Sequence, residues 1–205
     1  MQFDGLTPPV ESVKAARNVF ERNGLLIMIR PRAGDFQYEP DEVELMKSQI
    51  SAAAQAGADG VVMGLLNGEG HLDLQPLREL VELSQSLGLM TTFHRAFDAT
   101  RNRLEALDGL IELGFDRILT SGVAWGLPGS ALDGVLELDR LIQAAKSRLE
   151  IVIGGGVNPV NAPQVLRGLS AWSGKLSVHA YSGVQDKGRT TISGVKALVD
   201  AVGPF

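Results

Sequence analysis

The strongest constraint on this 205-residue chain is an alternation. Short apolar runs alternate with longer stretches whose apolar residues recur at helical spacing, on a repeat of about thirty residues. Leu25–Arg30, Gly60–Leu66, the run from Thr91, Arg117–Ser121, Glu150–Ile153 and Lys175–His179 read as strands. The first helix carries Val10, Val13, Ala16 and Phe20, with Pro9 in its first turn and Gly24 as its stop. Asp41 and Glu44 fit a capping box ahead of Val43, Met46, Ile50 and Ala53. Pro76 opens the stripe Leu77, Leu80, Leu83 and Leu87. Further stripes run over Leu104–Leu113 and Val135–Ala145, then a short helix opened by Asn158 and Pro159, and a last one over Thr191–Val202. Six strands and seven helices in this order predict a parallel sheet with helical crossovers. Such a sheet is covered on both faces, which is why its strands lack a clean two-residue period. No shift in composition marks a linker, so residues 1–205 read as one domain.

An open doubly wound sheet and a (β/α) barrel both fit that order. Polar residues sit at the C-terminal ends of at least four strands, as a ring of βα loops requires, and no G-x-G-x-x-G turn occurs. The expectation is therefore an α/β, TIM-barrel-like (β/α) fold with parallel strands. Six strands leave it incomplete, with its open side covered by a partner chain or by its own N-terminal helix.

The net charge of −5 argues against nucleic acid or an anionic membrane surface as partner. No run approaches the roughly 18 apolar residues of a membrane span. Met1–Gly5 lacks the basic and apolar regions of a signal peptide, so the expected location is cytoplasmic. There is no cysteine, which removes disulfides, thiolate catalysis and thiolate metal sites.

The polar strand ends are the candidate site. His94, Arg95 and Asp98 follow one strand; His94 is a candidate general acid–base, with Asp98 orienting it or holding Arg95. Arg30 and Arg32 flank a proline and are followed by Asp35; a guanidinium pair grips a carboxylate or phosphate, or pairs with nearby acids. Gly154, Gly155 and Gly156, with Ser182, follow the last two strands, where barrels bind anions through backbone N–H groups, although a glycine triplet is also simply a tight turn. Ser121 is a hydrogen-bond donor at another strand end, without the elbow motif of a nucleophile. His179 ends the last strand, and two histidines fall short of the three or four ligands of a metal site. Soft metal ions favour sulfur, and the only sulfurs belong to five methionines, so no residue is assigned as a metal ligand.

Arg30-Pro31-Arg32-Ala33-Gly34-Asp35-Phe36, Thr92-Phe93-His94-Arg95-Ala96-Phe97-Asp98 and Ile118-Leu119-Thr120-Ser121-Gly122 together resemble the CutC family. Gly154-Gly155-Gly156-Val157 and His179 fall at that family's later motifs. Gly5-Leu6-Thr7-Pro8 is similar to its Gly-Gly-Leu-Thr-Pro segment, with Asp4 in place of the first glycine. The resemblance implies a TIM-barrel-like fold, a cytoplasmic homodimer and a part in copper homeostasis by binding or trafficking. It also implies two further strands before the Gly-Leu-Thr-Pro segment, where this chain starts, and N-terminal cysteines that it lacks. Copper as a bound species rests on the resemblance alone. The residues themselves point to a metal-independent enzyme for a small phosphorylated or carboxylated metabolite. There His94 acts as acid–base, and Arg30 and Arg95 hold the anion. A catalytically silent scaffold is the third reading.

Overall fold

The computed structural model describes residues 5–170 and 175–203. Met1–Asp4, and with them the comparison at Asp4, lie outside the described residues. The chain divides into two compact units, Met1–Asp116 and Arg117–Phe205.

In the first unit, β1 (Leu26–Met28), β2 (Gly60–Met63) and β3 (Met90–Phe93) are parallel, with β2 in the middle. Helix α1 (Val10–Val19) precedes β1, α2 (Pro40–Gln55) and α3 (Leu74–Ser86) are the crossovers, and α4 (Arg103–Leu113) follows a 3-10 turn over Arg95–Ala99. The helical stripes bury the expected residues: Val43, Met46, Ile50 and Ala53 of α2, and Leu77, Leu80 and Val81 of α3. Each large aliphatic side chain so buried contributes about 1.5–3 kcal/mol.

In the second unit, β4 (Arg117–Thr120), β5 (Glu150–Ile153) and β6 (Leu176–Val178) are parallel, with β5 in the middle. Helices α5 (Val135–Ala145) and α6 (Ala162–Arg167) connect them, and α7 (Ile192–Val202) follows. A short antiparallel hairpin, β7 (Gln185–Asp186) and β8 (Arg189–Thr190), lies before α7 and has no counterpart in the sequence reading. No helix of the described residues is long and apolar enough to cross a membrane.

Helix α3 starts at Leu74, two residues before the Pro76 expected to open it. Three other helix ends differ from expectation, each for a local reason. The capping box of α2 uses Glu39 and Glu42 rather than Asp41 and Glu44. Pro40 takes the first helical position, where its missing N–H costs nothing, so the cap falls on the residue before it. Helix α6 starts at Ala162, because Asn158 closes a turn instead, its Oδ1 accepting from Val160 and Asn161. Helix α1 stops at Val19, well before Gly24. Arg17 donates to the Phe20 and Arg22 carbonyls, and Asp59 Oδ2 accepts from the Gly24 and Leu25 amides at 2.8 Å each and from Arg17 at 2.9 Å.

Asp59 thus ties α1 and the start of β1 to the turn before β2. The Leu25 amide, then Arg17 and the Gly24 amide, hold its pKa below the ordinary carboxylate value. The folded state therefore binds its proton less readily than the unfolded chain. The resulting stability is present above about pH 4 and is lost as pH falls through the lower folded value. Asp59→Asn should flatten the acid limb of a urea-unfolding series. An unchanged limb would show that Asp59 does not couple folding to pH.

Candidate anion site at the strand ends

Strand alternation sorts the side chains of β3. Phe93 packs edge-on against Phe115, just past α4, at 5.6 Å between centroids. Asp116 Oδ2 accepts from the amide and hydroxyl of Thr91. Thr91 and Phe93 therefore face the helices, and Thr92 and His94 face the opposite side. Ile27 of β1 lines a cavity on the helical side together with Val13 and Ala53, which leaves Met28 and Arg30 on the other. The register aligns Met28, Val62 and Thr92. Two residues on, the same register aligns Arg30, Gly64 and His94. The ladder continues that far, with Ile29 donating to Val62 O and His94 to Met63 O.

The middle position of that upper row has no side chain, and this is what shapes the site. A Cβ on Gly64 would lie 2.6 Å from His94 Nδ1 and 2.7 Å from Cε1. The imidazole occupies the space that a side chain at 64 would fill, in the gap between His94 and Arg30. Arg30 is buried, 6% exposed, and donates from Nη2 to Gly34 O at 2.8 Å. Its guanidinium lies 5.2 Å from the Phe36 ring, which in turn is 5.0 Å from the imidazole. The loop after β1 is held there by Leu66 N–H donating to Phe36 O. Thr7 joins the same strand end: its amide donates to Arg30 O and its hydroxyl accepts from Arg30 N–H.

His94 is 4% exposed. The Ala96 N–H donates to Nδ1 at 3.1 Å, so the neutral ring carries its proton on Nε2. Nε2 is buried and has no hydrogen-bond partner among the described residues. Burial first, and repulsion from Arg30 second, pull the imidazole pKa down to about 3. His94 is therefore a neutral hydrogen-bond donor at physiological pH.

The other predicted residues have definite places. Arg95 Nε donates to Asp98 Oδ2 at 2.6 Å, so Asp98 holds Arg95. The Asp98 carboxylate is fully enclosed and the Arg95 side chain is 30% exposed. Arg32 lies beside Tyr38 and pairs with Glu42 at 2.7 Å and Asp35 at 2.8 Å. In the second unit the register aligns Ser121, Gly154 and His179, again a polar residue, a glycine and a histidine. Ser121 Oγ accepts from Val123 N–H at 3.1 Å. A Cβ on Gly154 would stand 3.5 Å from His179 Cβ and 2.6 Å from Leu119 Cδ1. Gly155 and Gly156 adopt φ of 99° and 70°, and Ser182 is exposed. His179 is exposed as a residue, though enough of it is enclosed for burial to lower its pKa.

Sequence reasoning missed Gly64, Phe36 and Thr92 as parts of the site. A lone glycine at a strand end marks close approach of another group, and that signal was available for Gly64. Phe36 carried no signal beyond its place in the family-like motif, because its contact with Arg30 depends on how the loop folds back.

Among the described residues, no donor set for copper is assembled. Cysteine is absent, and no group of three His, Asp or Glu residues among those described could hold a metal ion. Met46 and Met63 are fully buried in the core, and Met28 and Met90 are half-buried in strands.

Parallel strands joined by helices, with polar residues gathered at their C-terminal ends, define the TIM-barrel-like class of α/β fold. Deoxyribose phosphate aldolase of Aeropyrum pernix superposes at a TM-score of 0.61 over 92% of this chain and 71% of its own, with 17% identity, a likeness of fold alone. The CutC family model matches residues 1–183, and the chain belongs to the CutC family. A CutC family protein of Vibrio vulnificus is 44% identical over 87% of this chain and 68% of its own length. The crystal structure of CutC from Streptococcus agalactiae, whose name assigns it to copper homeostasis, superposes at a TM-score of 0.77 with 30% identity. That match covers 86% of this chain and 83% of the other. The chain spans about two thirds of the length of the curated relatives it matches.

Proposed function

We propose that the chain binds a small anionic metabolite at the Arg30–Gly64–His94 row without a metal, as a TIM-barrel-type enzyme does. The observation that carries this is His94 Nε2, a buried donor with no partner among the described residues, beside the Arg30 guanidinium. A neutral imidazole with a depressed pKa serves as an electrophile: it donates to a ligand oxygen and stabilises charge that develops there. That role fits His94 better than acid–base exchange, which needs a pKa near the working pH. Arg30 supplies the positive field, and Phe36 shields it from water. Any share in copper homeostasis, the role in the name of the Streptococcus agalactiae relative, then comes through the metabolite rather than through copper ligands in this chain. A cytoplasmic homodimer, as the family resemblance implies, is the proposed setting.

Calorimetric titration with copper(I), and separately with acetate and phosphate, tests the proposal. An anion is expected to bind with one-to-one stoichiometry and copper is not. A bound anion stabilises the imidazolium, so nitrogen NMR should show His94 neutral at pH 5 in the free protein and its pKa raised in the complex. Stoichiometric copper binding without anion binding would overturn the proposal.

A further inference from the structure

Buried hydroxyls in folded proteins find partners, and an exception calls for a reason. Among the described residues, five buried ones carry hydroxyls: Ser84, Thr91, Thr92, Thr120 and Ser121. Four are satisfied. Ser84 donates to Leu80 O, Thr91 donates to Asp116, Thr120 accepts from Gly122 N–H, and Ser121 accepts from Val123 N–H. Thr92 is the exception among these five; the enclosed Tyr38 hydroxyl, on a half-exposed residue, interacts with Arg30 instead. It is 4% exposed, and Oγ1 has no partner among the described residues. It belongs to the Met28–Val62–Thr92 row, directly beneath Arg30, Gly64 and His94 and on the same face as the unpartnered Nε2. Two unsatisfied polar atoms on one face, from residues one strand repeat apart (about 7 Å between their backbone positions), suit one ligand with two polar points.

We infer that Thr92 reads a second oxygen on the bound acid, which makes the ligand a short hydroxy- or keto-carboxylic acid. This rests on the Arg30–His94 reading above. The carboxylate takes the upper row, where Arg30 and the Nε2–H donor lie. The hydroxyl or keto oxygen points down to Thr92, whose hydroxyl can both donate and accept. The lower row otherwise offers only Met28 and Val62, so the carbon skeleton beside them is short and apolar. A phosphate group offers nothing to match that row, since its oxygens crowd around one atom and call for several donors or cations together.

Lactate and propionate differ in one hydroxyl and serve as the probes, titrated calorimetrically into the full chain and into Thr92→Val. The valine keeps the shape and removes an unpaired hydroxyl, so its melting temperature should equal or exceed that of the parent. The parent is expected to bind lactate about tenfold more tightly than propionate, and the variant to bind both as the parent binds propionate. Equal affinity of the parent for the two acids would overturn the inference and leave the anion site standing. So would a preference that survives Thr92→Val, the result expected if Thr92 holds only a buried water. Binding of neither acid would overturn the reading of the upper row and this inference with it.

Discussion

Replacing Gly64 with alanine is expected to weaken anion binding about 10- to 100-fold while the chain still folds, the cost of losing one well-placed donor to a charged acceptor. The methyl group would fall 2.6 Å from Nδ1 of His94, inside any van der Waals contact. The backbone at Gly64 does not have the positive φ that excludes other residues, so alanine is admissible there conformationally. What must yield is the imidazole. A displaced ring breaks the 3.1 Å hydrogen bond from Ala96 N–H and swings Nε2 away from its present direction. Overpacking of this kind costs about 1–3 kcal/mol, part of it regained because alanine orders at a lower entropic cost than glycine. Titration of the variant with the parent's best anion, beside its urea midpoint, separates the two effects. Parent-like affinity would mean that the ring's place over Gly64 has no bearing on binding.

Asp98→Ala is expected to cost about 1–3 kcal/mol in stability, between the values for exposed and for buried ion pairs, because Asp98 is enclosed while Arg95 is 30% exposed. Asp98 has no solvent-exposed side-chain surface, and its 2.6 Å contact with Arg95 closes the 3-10 turn that begins directly after His94. The same turn carries Ala96, whose N–H fixes the tautomer of His94. Without the carboxylate, Arg95 loses its 2.6 Å contact with Oδ2 and the turn loosens. Urea unfolding of Asp98→Ala and Asp98→Asn measures this. Asparagine keeps the size and one acceptor oxygen, so its loss should be the smaller of the two. A cost below about 1 kcal/mol for alanine would place the pair with ordinary surface ion pairs.

The strand–helix order was legible because burial on both faces of a parallel sheet leaves an apolar signature that survives local irregularity. All six expected strands and seven helices are found, and the polar residues do fall at the C-terminal strand ends. Helix starts were less legible. Asp41 and Glu44 satisfy the same spacing rule as Glu39 and Glu42, and only the placement of Pro40 decides between them. The hairpin at Gln185–Thr190 escaped because its strands are two residues each, too short for any period. Its turn did leave a mark, in that Lys187 and Gly188 both take positive φ, and glycine at the second position favours such a turn. The site was half legible. His94 and Arg30 could be picked by type and position, but their alignment in one row is a matter of register between strands some thirty residues apart. The low pKa of His94 lay further out of reach, since it depends on how completely the ring is enclosed.

The two glycine-centred rows say something about where meaning resides in this chain. In each unit, three neighbouring strands end in a polar residue, a glycine and a histidine: Arg30, Gly64 and His94 in one, Ser121, Gly154 and His179 in the other. The central letter contributes no atom beyond the backbone. At position 64 it is nevertheless the letter with the fewest substitutes, because any other would write over the space in which its neighbour is spelled out. Gly154 is the looser of the two, since the nearest atom to an added methyl is the tip of Leu119, which can turn aside. A vocabulary of side chains would pass over both positions, yet in the first unit the blank keeps the two flanking letters legible as one word.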